Sequence, residues 1–223
     1  MNDEVEQSEN GDPYSVRFAD HYYSRHDGRA ETRHVFLGGN DLPARWANGL
    51  DFQIGELGFG TGLNFLETWL CWRDHRKPGQ RLTFTSVEGF GLSAEQAHDA
   101  LRQWPPLDTV RTALIDQWAT KDDGVWLDDQ TRLHVINGLA EDCIDRFPPV
   151  DAWFFDGFAP DRNPDMWSLE LMKRVAARSS PGASFSSYTA AGWVRRNLSE
   201  AGFEVERTKG FHTKRHMIVG RLK

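Results

Sequence analysis

The chain has 223 residues, enough for one domain with a substantial core, and its 39% hydrophobic and 26% charged residues are typical of soluble globular proteins. The formal net charge of −7 argues against a general nucleic-acid-binding protein. Having only two cysteines argues against a disulfide framework. The start of the chain does not show the basic-then-apolar pattern of a secretion signal, and the apolar runs are too short to span a membrane. A cytoplasmic location is therefore expected.

The charge is unevenly distributed along the chain. Positions 162–223 hold 12 Lys/Arg and 5 Asp/Glu, whereas positions 1–161 hold 14 and 28. Such asymmetry suggests a polyanionic partner for the basic end, although a solvated helix face explains it equally well.

In chain order, residues 1–12 are expected to form a flexible acidic tail and 13–223 a single domain, with a lead segment (13–50) and a core (51–223). Seven runs predict strands: Asp51–Leu57, Arg81–Glu88, Arg132–Ile136, Asp151–Phe155, Ala183–Thr189, Phe203–Thr208 and His216–Leu222. Five segments predict helices: Gly62–His75, Ser93–Gln103, Asp108–Ala119, Asp165–Arg178 and Ala190–Ala201. This alternation predicts an α/β fold with a mostly parallel sheet. The last two strands are separated too narrowly for a crossover helix and should pair antiparallel.

The stretch IGELGFGTGLNF (Ile54–Phe65) predicts a ligand-binding loop between the first core strand and a helix. Its G-x-G-x-G spacing differs from the dinucleotide fingerprint, and no P-loop lysine follows, so a ligand without phosphates is expected. The candidate cofactor-binding residues are Glu56, Gly58, Phe59, Gly60, Thr61, Gly62 and Asn64.

Glu88 ends the next predicted strand and is followed by Gly89. A carboxylate at that position can accept hydrogen bonds from both ribose hydroxyls of an adenosine group. A tight turn with a capping glutamate is the structural alternative.

The stretch FDGFAP (Phe155–Pro160) places a carboxylate, Asp156, where a buried apolar strand ends. Burying a carboxylate is costly unless something pairs with it, and open α/β sheets build their sites at this edge. Asp156 is therefore the candidate catalytic residue, with a turn or helix cap as the alternative.

Several stretches together resemble the methyltransferase domain of the tRNA 5-methylaminomethyl-2-thiouridine biosynthesis protein MnmC and its stand-alone form, MnmD. They are ETRHVFLGGNDL, ELGFGTGLNF, SVEGF, DAWFFDGFAPDRNPDMW, AAGWVRRNL and KGFHTKRHMIVG, and the resemblance covers nearly the whole chain.

The resemblance implies a Rossmann-like class I S-adenosylmethionine-dependent methyltransferase with a seven-stranded sheet and a C-terminal antiparallel hairpin. It implies methylation of the amino group of 5-aminomethyl-(2-thio)uridine at the tRNA wobble position, in the anticodon loop, with Asp156 also contacting the cofactor. It further implies a functional link to a flavin-dependent oxidoreductase domain.

Two positions depart from the family pattern. Asn137-Gly138 stands where the family carries Gly-Asp beside the adenine, so Asn137, Glu141 or Asp142 could supply that contact. Tyr188 stands where Phe is expected. Asn137 and Gly138 are retained as candidate cofactor-binding residues.

The basic end and its aromatic residues supply the candidate tRNA-binding residues. Aromatic rings can stack on a splayed base, and Lys/Arg side chains bind phosphates. The candidates are Phe158, Trp167, Tyr188, Arg195, Arg196, Lys209, Lys214 and Arg215, with core packing slightly favoured for Trp167. No metal is expected, since His212 and His216 have no third ligand, and Cys71 and Cys143 should be buried.

Two other functions stay open at this point. One is an N-methyltransferase acting on a small or protein amine, with the basic end incidental. The other is a non-catalytic module of the same fold that binds RNA or a partner, against which the intact glycine loop and Asp156 argue.

Overall fold

A computed structural model of the protein describes residues 5–7, 13–23 and 27–223. The strands within these ranges are β1 (Val5–Gln7), β2 (Pro13–Ser15), β3 (Asp20–His21), β4 (Phe52–Leu57), β5 (Leu82–Glu88), β6 (Val125–Asp128), β7 (Thr131–Asn137), β8 (Val150–Phe155), β9 (Ser179–Ser187), β10 (Phe203–Lys209) and β11 (His216–Leu222). The α-helices are α1 (Gly28–Thr32), α2 (Leu63–His75), α3 (Ala94–Leu101), α4 (Asp108–Asp116), α5 (Ala140–Cys143), α6 (Leu169–Ala177) and α7 (Gly192–Glu200).

The large sheet has the strand order β10-β11-β9-β8-β4-β5-β7-β6, and β1, β2 and β3 form a separate small antiparallel sheet. β9, β8, β4, β5 and β7 run parallel, while β11 pairs antiparallel with both β9 and β10. The chain leaves β4 toward β5 and later returns to β8 on the other side of β4. The switch point between β4 and β8 is where an open α/β sheet forms a crevice for ligands.

Both faces of the large sheet are covered. In β8, Ala152 and Phe154 pack in a core cluster with α2 and the lead segment, while Trp153 and Phe155 pack in a second cluster with α6 and α7. Successive side chains of a strand point to opposite faces, so a strand buried on both sides is continuously apolar. This explains the run AWFF in β8.

The seven predicted core strands are all present, and the mostly parallel sheet with a C-terminal antiparallel hairpin is confirmed. An eighth strand was not predicted: β6 pairs antiparallel with β7 at the sheet edge. It is short, and its Trp126 is 50% exposed, so it lacks the buried apolar pattern that marks the inner strands.

The predicted acidic tail is described only in part. Val5–Gln7 pairs with β2, and the other positions of 1–12 lie outside the described residues.

The lead segment is fixed to the core by polar contacts as well as apolar ones. Glu67 of α2 is only 3% exposed and accepts hydrogen bonds from Arg29 and from Arg33 Nε, the latter at 2.7 Å. Asn40 Nδ2 donates to the Trp153 carbonyl at 3.2 Å and to Ser186 Oγ at 2.7 Å. The segment thereby reaches the carboxyl edge of the large sheet.

Two smaller features complete the description. Cys143 is buried as predicted, whereas Cys71 is only half-buried. Across the described ranges, no helix combines the length and apolar character that a bilayer span requires.

Candidate active site

The loop after β4 passes very close to the loop after β8. Gly58 has a φ of +91°, and a Cβ added there would lie 3.2 Å from Gly157 Cα. Gly60 has a φ of +53°, and its Cβ would meet the Tyr22 ring at 3.2 Å. Both positions favour glycine, because a side chain would be strained by the left-handed backbone and would crowd the second loop at Gly58 or Tyr22 at Gly60.

Two adjoining cavities, of about 280 and 270 Å³, open where these loops meet. Gly58, Glu88, Gly157 and Phe158 line both of them. The charged residues of the first cavity are Asp20, Glu31, Glu88, Asp156 and Lys214, and those of the second are Arg17, Glu88, Glu141 and Asp165. The second is more apolar, and its walls include Val87, Phe90, Gly138, Leu139 and Met166. Together they form a trough along the carboxyl edge of β8, β4, β5 and β7.

Glu88, at the end of β5, lies at the junction of the two cavities as predicted from its strand-end position. Its carboxylate accepts hydrogen bonds from Gly60 N and Phe90 N, both at 2.8 Å. These bonds hold the carboxylate against the glycine loop. Gly89 and Gly138 lie beside it in the lining of the second cavity.

The other predicted loop residues divide into two groups. Phe59, Thr61 and Asn64 line the first cavity although each is less than a tenth exposed. Gly62 lines neither cavity and starts α2 instead, with a φ of +82°.

Asp156 follows the last residue of β8 and faces the first cavity. Its Oδ1 accepts a hydrogen bond from Gly157 N at 2.8 Å, and its Oδ2 accepts one from Asn64 Nδ2 at 2.6 Å. Burial raises the pKa of the carboxyl from its ordinary value of 3.8 to about 7, against the opposing effect of these two hydrogen bonds. Asp156 thus changes charge near neutral pH, as a general base requires.

Asp156→Asn is expected to stabilise the fold at neutral and higher pH. A carboxyl whose pKa is raised on folding stabilises the fold while protonated, and this contribution is lost as the pH rises from about 4 to about 7. The gain in unfolding free energy should therefore be larger at about pH 8 than at about pH 5, by roughly 2 kcal/mol. Urea unfolding at both pH values measures it. A gain that does not change with pH would contradict the assigned pKa, and the exposed Asp161→Asn serves as control.

Glu56 does not reach the trough, contrary to the predicted cofactor contact. The side chain is 0% exposed, lines neither cavity, and accepts hydrogen bonds from Ser86 Oγ at 2.7 Å and Asn64 Nδ2 at 2.9 Å. Burial raises its pKa well above the ordinary value, and the nearby Asp156 raises it further. Because strand residues alternate between faces, Glu56 points to the face of the sheet that α2 covers, beneath the glycine loop, while Leu57 points to the opposite face.

The wall opposite the glycine loop comes from three distant segments. Tyr188 donates its hydroxyl to the Gly157 carbonyl at 2.8 Å, and Lys214 Nζ lies 4.4 Å from the Tyr188 ring centroid. Lys214 Nζ is also 2.9 Å from Glu31 Oε1 of α1. Burial raises the pKa of the Tyr188 hydroxyl well above its usual range, so the group stays a neutral donor.

Phe158 forms part of the roof of the trough together with the lead segment. Its ring stacks on Phe18 with centroids 4.4 Å apart and meets Tyr22 edge-on at 5.3 Å. The next residue, Ala159, donates its N–H to Asp20 Oδ2 at 3.0 Å. The prediction that Phe158 lies at the site agrees with this placement.

Trp167 takes the core position that the sequence slightly favoured, and the Asn137 side chain does not lie in the trough. Trp167 is 1% exposed within the second core cluster and lines neither cavity, so it packs in the core. The exposed Asn137 side chain donates to Asp122 rather than facing the second cavity. Among the two suggested substitutes for the adenine contact, Glu141 lines that cavity and Asp142 does not.

The predicted basic residues lie in two places. Lys209, Lys214 and Arg215 flank the β10–β11 turn, and all three are exposed, with Lys214 reaching the first cavity. Arg195 and Arg196 lie on α7 and line neither cavity, and Arg195 is half-buried. Of these five residues, only Lys214 therefore lines the site.

Sequence reasoning missed the contribution of the lead segment to the site. Asp20, Tyr22, Glu31 and Thr32 all line the first cavity. No periodicity or spacing in the segment indicates this. The resemblance of ETRHVFLGGNDL to a known family was the one available signal, and it contains both Glu31 and Thr32.

The trough fits an adenosyl cofactor that has no phosphate groups. Gly58 and Gly60 leave space beside the backbone, Glu88 lies where ribose hydroxyls need an acceptor, and Phe90 and Leu139 offer apolar walls for an adenine. The excess of carboxylates in the first cavity favours a cationic centre such as a sulfonium. Among the described residues, no group of His, Cys, Asp and Glu is arranged to hold a metal ion.

Comparison with known proteins gives three findings. A family model described as S-adenosyl-L-methionine-dependent methyltransferase matches residues 105–223. The tRNA 5-methylaminomethyl-2-thiouridine biosynthesis bifunctional protein MnmC of Chromohalobacter salexigens is 44% identical over 217 residues, covering 94% of this chain and 31% of that protein. The MnmC protein of Pseudomonas aeruginosa strain UCBPP-PA14 is 44% identical over 225 residues, covering 97% and 34%.

The chain thus spans about a third of the length of these curated relatives. Among solved structures, MnmC2 from Aquifex aeolicus covers 100% of this chain and 71% of its own, with a TM-score of 0.77 and 21% identity. At that identity the likeness shows the fold.

Proposed function

The chain belongs to the S-adenosyl-L-methionine-dependent methyltransferase family, and we propose that it methylates the amino group of 5-aminomethyl-2-thiouridine in tRNA. The observation that carries this proposal is the Asp156 carboxylate, which is held by Gly157 N and Asn64 Nδ2 at the wall of the first cavity and has a pKa of about 7. The substrate is proposed from the relatives, whose name specifies 5-methylaminomethyl-2-thiouridine biosynthesis in tRNA.

The residues of the trough would hold the cofactor along the sheet edge. Glu88 would accept hydrogen bonds from its ribose hydroxyls, and the second cavity would take its adenine. When bound, S-adenosyl-L-methionine supplies a methyl group, whose bond to the positive sulfur breaks as the amine lone pair forms the new C–N bond and S-adenosylhomocysteine is left.

Asp156 would act on the amine. An alkylamine resembles a lysine side chain and is protonated below about pH 10, and a protonated nitrogen has no lone pair to attack with. Above about pH 7 the Asp156 carboxylate can accept hydrogen bonds from the ammonium group, take its proton and aim the lone pair. The proton then passes to solvent through the open side of the first cavity.

The aromatic and basic residues near the cavity mouth suit an RNA substrate. Phe158 and Tyr188 offer rings beside Asp156 on which a splayed anticodon base can stack. Lys209 and Arg215, both exposed at the β10–β11 turn, can contact backbone phosphates on either side of that base. The acidic remainder of the chain would discourage non-specific RNA binding.

The proposal extends to the setting of the reaction. A wobble-uridine substrate places the protein in the cytoplasm with tRNA as its partner. The relatives are called bifunctional, and the family resemblance implies a functional link between the methyltransferase and a flavin-dependent oxidoreductase.

A labelling experiment tests the proposal. The protein is incubated with methyl-labelled S-adenosyl-L-methionine and either tRNA bearing 5-aminomethyl-2-thiouridine or the same tRNA with unmodified uridine. We expect label in the wobble nucleoside of the first tRNA only, recovered as 5-methylaminomethyl-2-thiouridine. Cofactor binding without labelling of either tRNA would reject the tRNA substrate and direct the search to small amines.

A further inference from the structure

We propose that Asn64 is a positioning residue for the reaction: its carboxamide aims the Asp156 carboxylate, and Thr32 of the lead segment anchors the other end of that carboxamide. The inference rests on the role of Asp156 proposed above. It also gives the lead segment a function at the reacting centre, beyond covering one face of the sheet.

The hydrogen bonds around Asn64 use its whole carboxamide. Asn64, the second residue of α2, donates from Nδ2 to Asp156 Oδ2 at 2.6 Å and to Glu56 Oε1 at 2.9 Å. Its Oδ1 accepts from Thr32 Oγ1 at 2.7 Å. Both N–H bonds and the carbonyl oxygen therefore have partners, and the side chain is 8% exposed.

The partners define one orientation of the carboxamide. If the group were rotated by half a turn, its carbonyl oxygen would face the carboxyl oxygens of Asp156 and Glu56, and an N–H would face the Thr32 hydroxyl. Such an arrangement loses the hydrogen bond to the Asp156 carboxylate and places like partial charges together. Because the Thr32 hydroxyl can accept as well as donate, Asp156 selects the orientation, and the bonds to Thr32 and Glu56 hold the carboxamide in that place.

Thr32 is itself held in place. It is 2% exposed, and the arginines on either side of it along the chain, Arg29 and Arg33, both pair with the buried Glu67 of α2. Glu56 is held at its other oxygen by Ser86 of β5. Asn64 is therefore held by an acceptor on the sheet, Glu56, and by a donor on the lead segment, Thr32. These two contacts fix the position from which Asn64 donates to Asp156.

The hydrogen bond from Asn64 favours the ionised form of Asp156, so losing it should raise the pKa of that carboxyl further. The other titratable groups that face Asp156 or share its cavity are Asp20, His21, Tyr22, Tyr23, Glu31, Glu56, Glu88, Tyr188 and Lys214. Asn64→Leu also removes the hydrogen bond to Glu56, and Thr32→Val leaves Asn64 in place, so comparing the two variants separates the loss of the carboxamide from a change in its position.

The test compares Asn64→Leu, Thr32→Val and Thr32→Ser in the whole chain. The pKa of Asp156 is measured by NMR of protein carrying carbon-13 at the aspartate carboxyls, with Asp156→Asn used to assign the signal. We expect the pKa to rise by about 1 in Asn64→Leu and by less in Thr32→Val, and to stay near the wild-type value in Thr32→Ser.

The same variants are assayed for kcat and KM across pH with the aminomethylated tRNA. In Asn64→Leu we expect kcat to fall by about 10- to 100-fold and its acidic limb to move to higher pH, with cofactor affinity unchanged within about threefold. Thr32→Val should show the same change to a smaller extent, with recovery in Thr32→Ser.

An unchanged Asp156 pKa in Asn64→Leu would overturn the inference. Lost cofactor affinity with an unshifted pH profile would also overturn it, and would make Asn64 a cofactor ligand instead. If Asn64→Leu does not fold, the two Thr32 variants decide in the same way. The NMR measurement needs no tRNA, so shifted pKa values together with an inactive wild type would reject the proposed substrate and retain the positioning role.

Discussion

Asp156→Asn is expected to lower kcat for methyl transfer by about 10²- to 10⁴-fold and to leave cofactor affinity nearly unchanged. Asparagine has nearly the same shape as aspartate and can still accept a hydrogen bond, but it cannot take a proton from the amine at any working pH. The carboxylate faces the first cavity, while the cofactor's adenosine is assigned to the Glu88 end of the trough. The substitution should therefore lower the rate of methyl transfer and not the affinity for the cofactor.

Two measurements separate this loss from damage to the fold. The variant should be at least as resistant to urea as the wild type at about pH 8, because it removes a carboxylate that is costly to bury. Asp161→Asn provides a matched control five residues along the same loop, since Asp161 is exposed and lines neither cavity.

The dependence on pH provides a further criterion. The wild-type rate should rise with pH through about 7, as the Asp156 carboxyl ionises, and this rise should be absent from whatever activity the variant retains. Variant activity within about threefold of the wild type would contradict a role for Asp156 in proton transfer. Cofactor affinity lost together with activity would assign Asp156 to cofactor binding instead.

The sheet could be predicted from the sequence because its strands are buried on both faces. A run such as DAWFF in β8 has few other stable settings, and the short interval between β10 and β11 permits only antiparallel pairing. β6 escaped prediction for the opposite reason. It is an edge strand with a half-exposed Trp126, and its pairing depends on β7 rather than on its own pattern.

The same edge explains why the Asn137 side chain points away from the second cavity. The spacing placed it correctly at the end of β7, but its side chain turns to Asp122, which lies in the turn before the unpredicted β6. Trp167 was ambiguous for a related reason, because an aromatic residue near a site packs in the core or lines the cavity according to neighbours that the local sequence does not specify.

The central part of the site was predictable because its residues follow strand ends. Asp156, Glu88 and the glycine loop are placed by β8, β5 and β4, and parallel strands bring their carboxyl ends together. Glu31 and Thr32 reach the site only because the lead segment docks on α2 through long-range contacts. Contacts of that kind depend on the completed fold, so spacing within the sequence does not reveal them.

Gly58→Ala is expected to weaken cofactor affinity by about 10- to 100-fold, the equivalent of roughly 1–3 kcal/mol. The added Cβ would lie 3.2 Å from Gly157 Cα. Because a Cβ is fixed by its own backbone and Gly157 Cα is a backbone atom, no side-chain rotation can relieve this contact. One of the two loops must therefore move. The loop after β4 is the glycine loop proposed to hold the cofactor, and the loop after β8 carries Asp156. Methyl transfer should fall further than affinity, because displacing the second loop also displaces the carboxylate from the amine.

Gly79→Ala provides the matched control for this prediction. Gly79 has a φ of +80°, close to the +91° of Gly58, but a Cβ added there meets nothing within 4 Å. Both substitutions incur the strain of a left-handed backbone, so both should lose stability, by about 1 kcal/mol or more in urea unfolding. Only Gly58→Ala should lose cofactor affinity in calorimetric titration with S-adenosyl-L-methionine. Equal affinities for the two variants would mean that the approach of Gly58 to Gly157 is not required for the cofactor to bind, and would place its binding elsewhere along the trough.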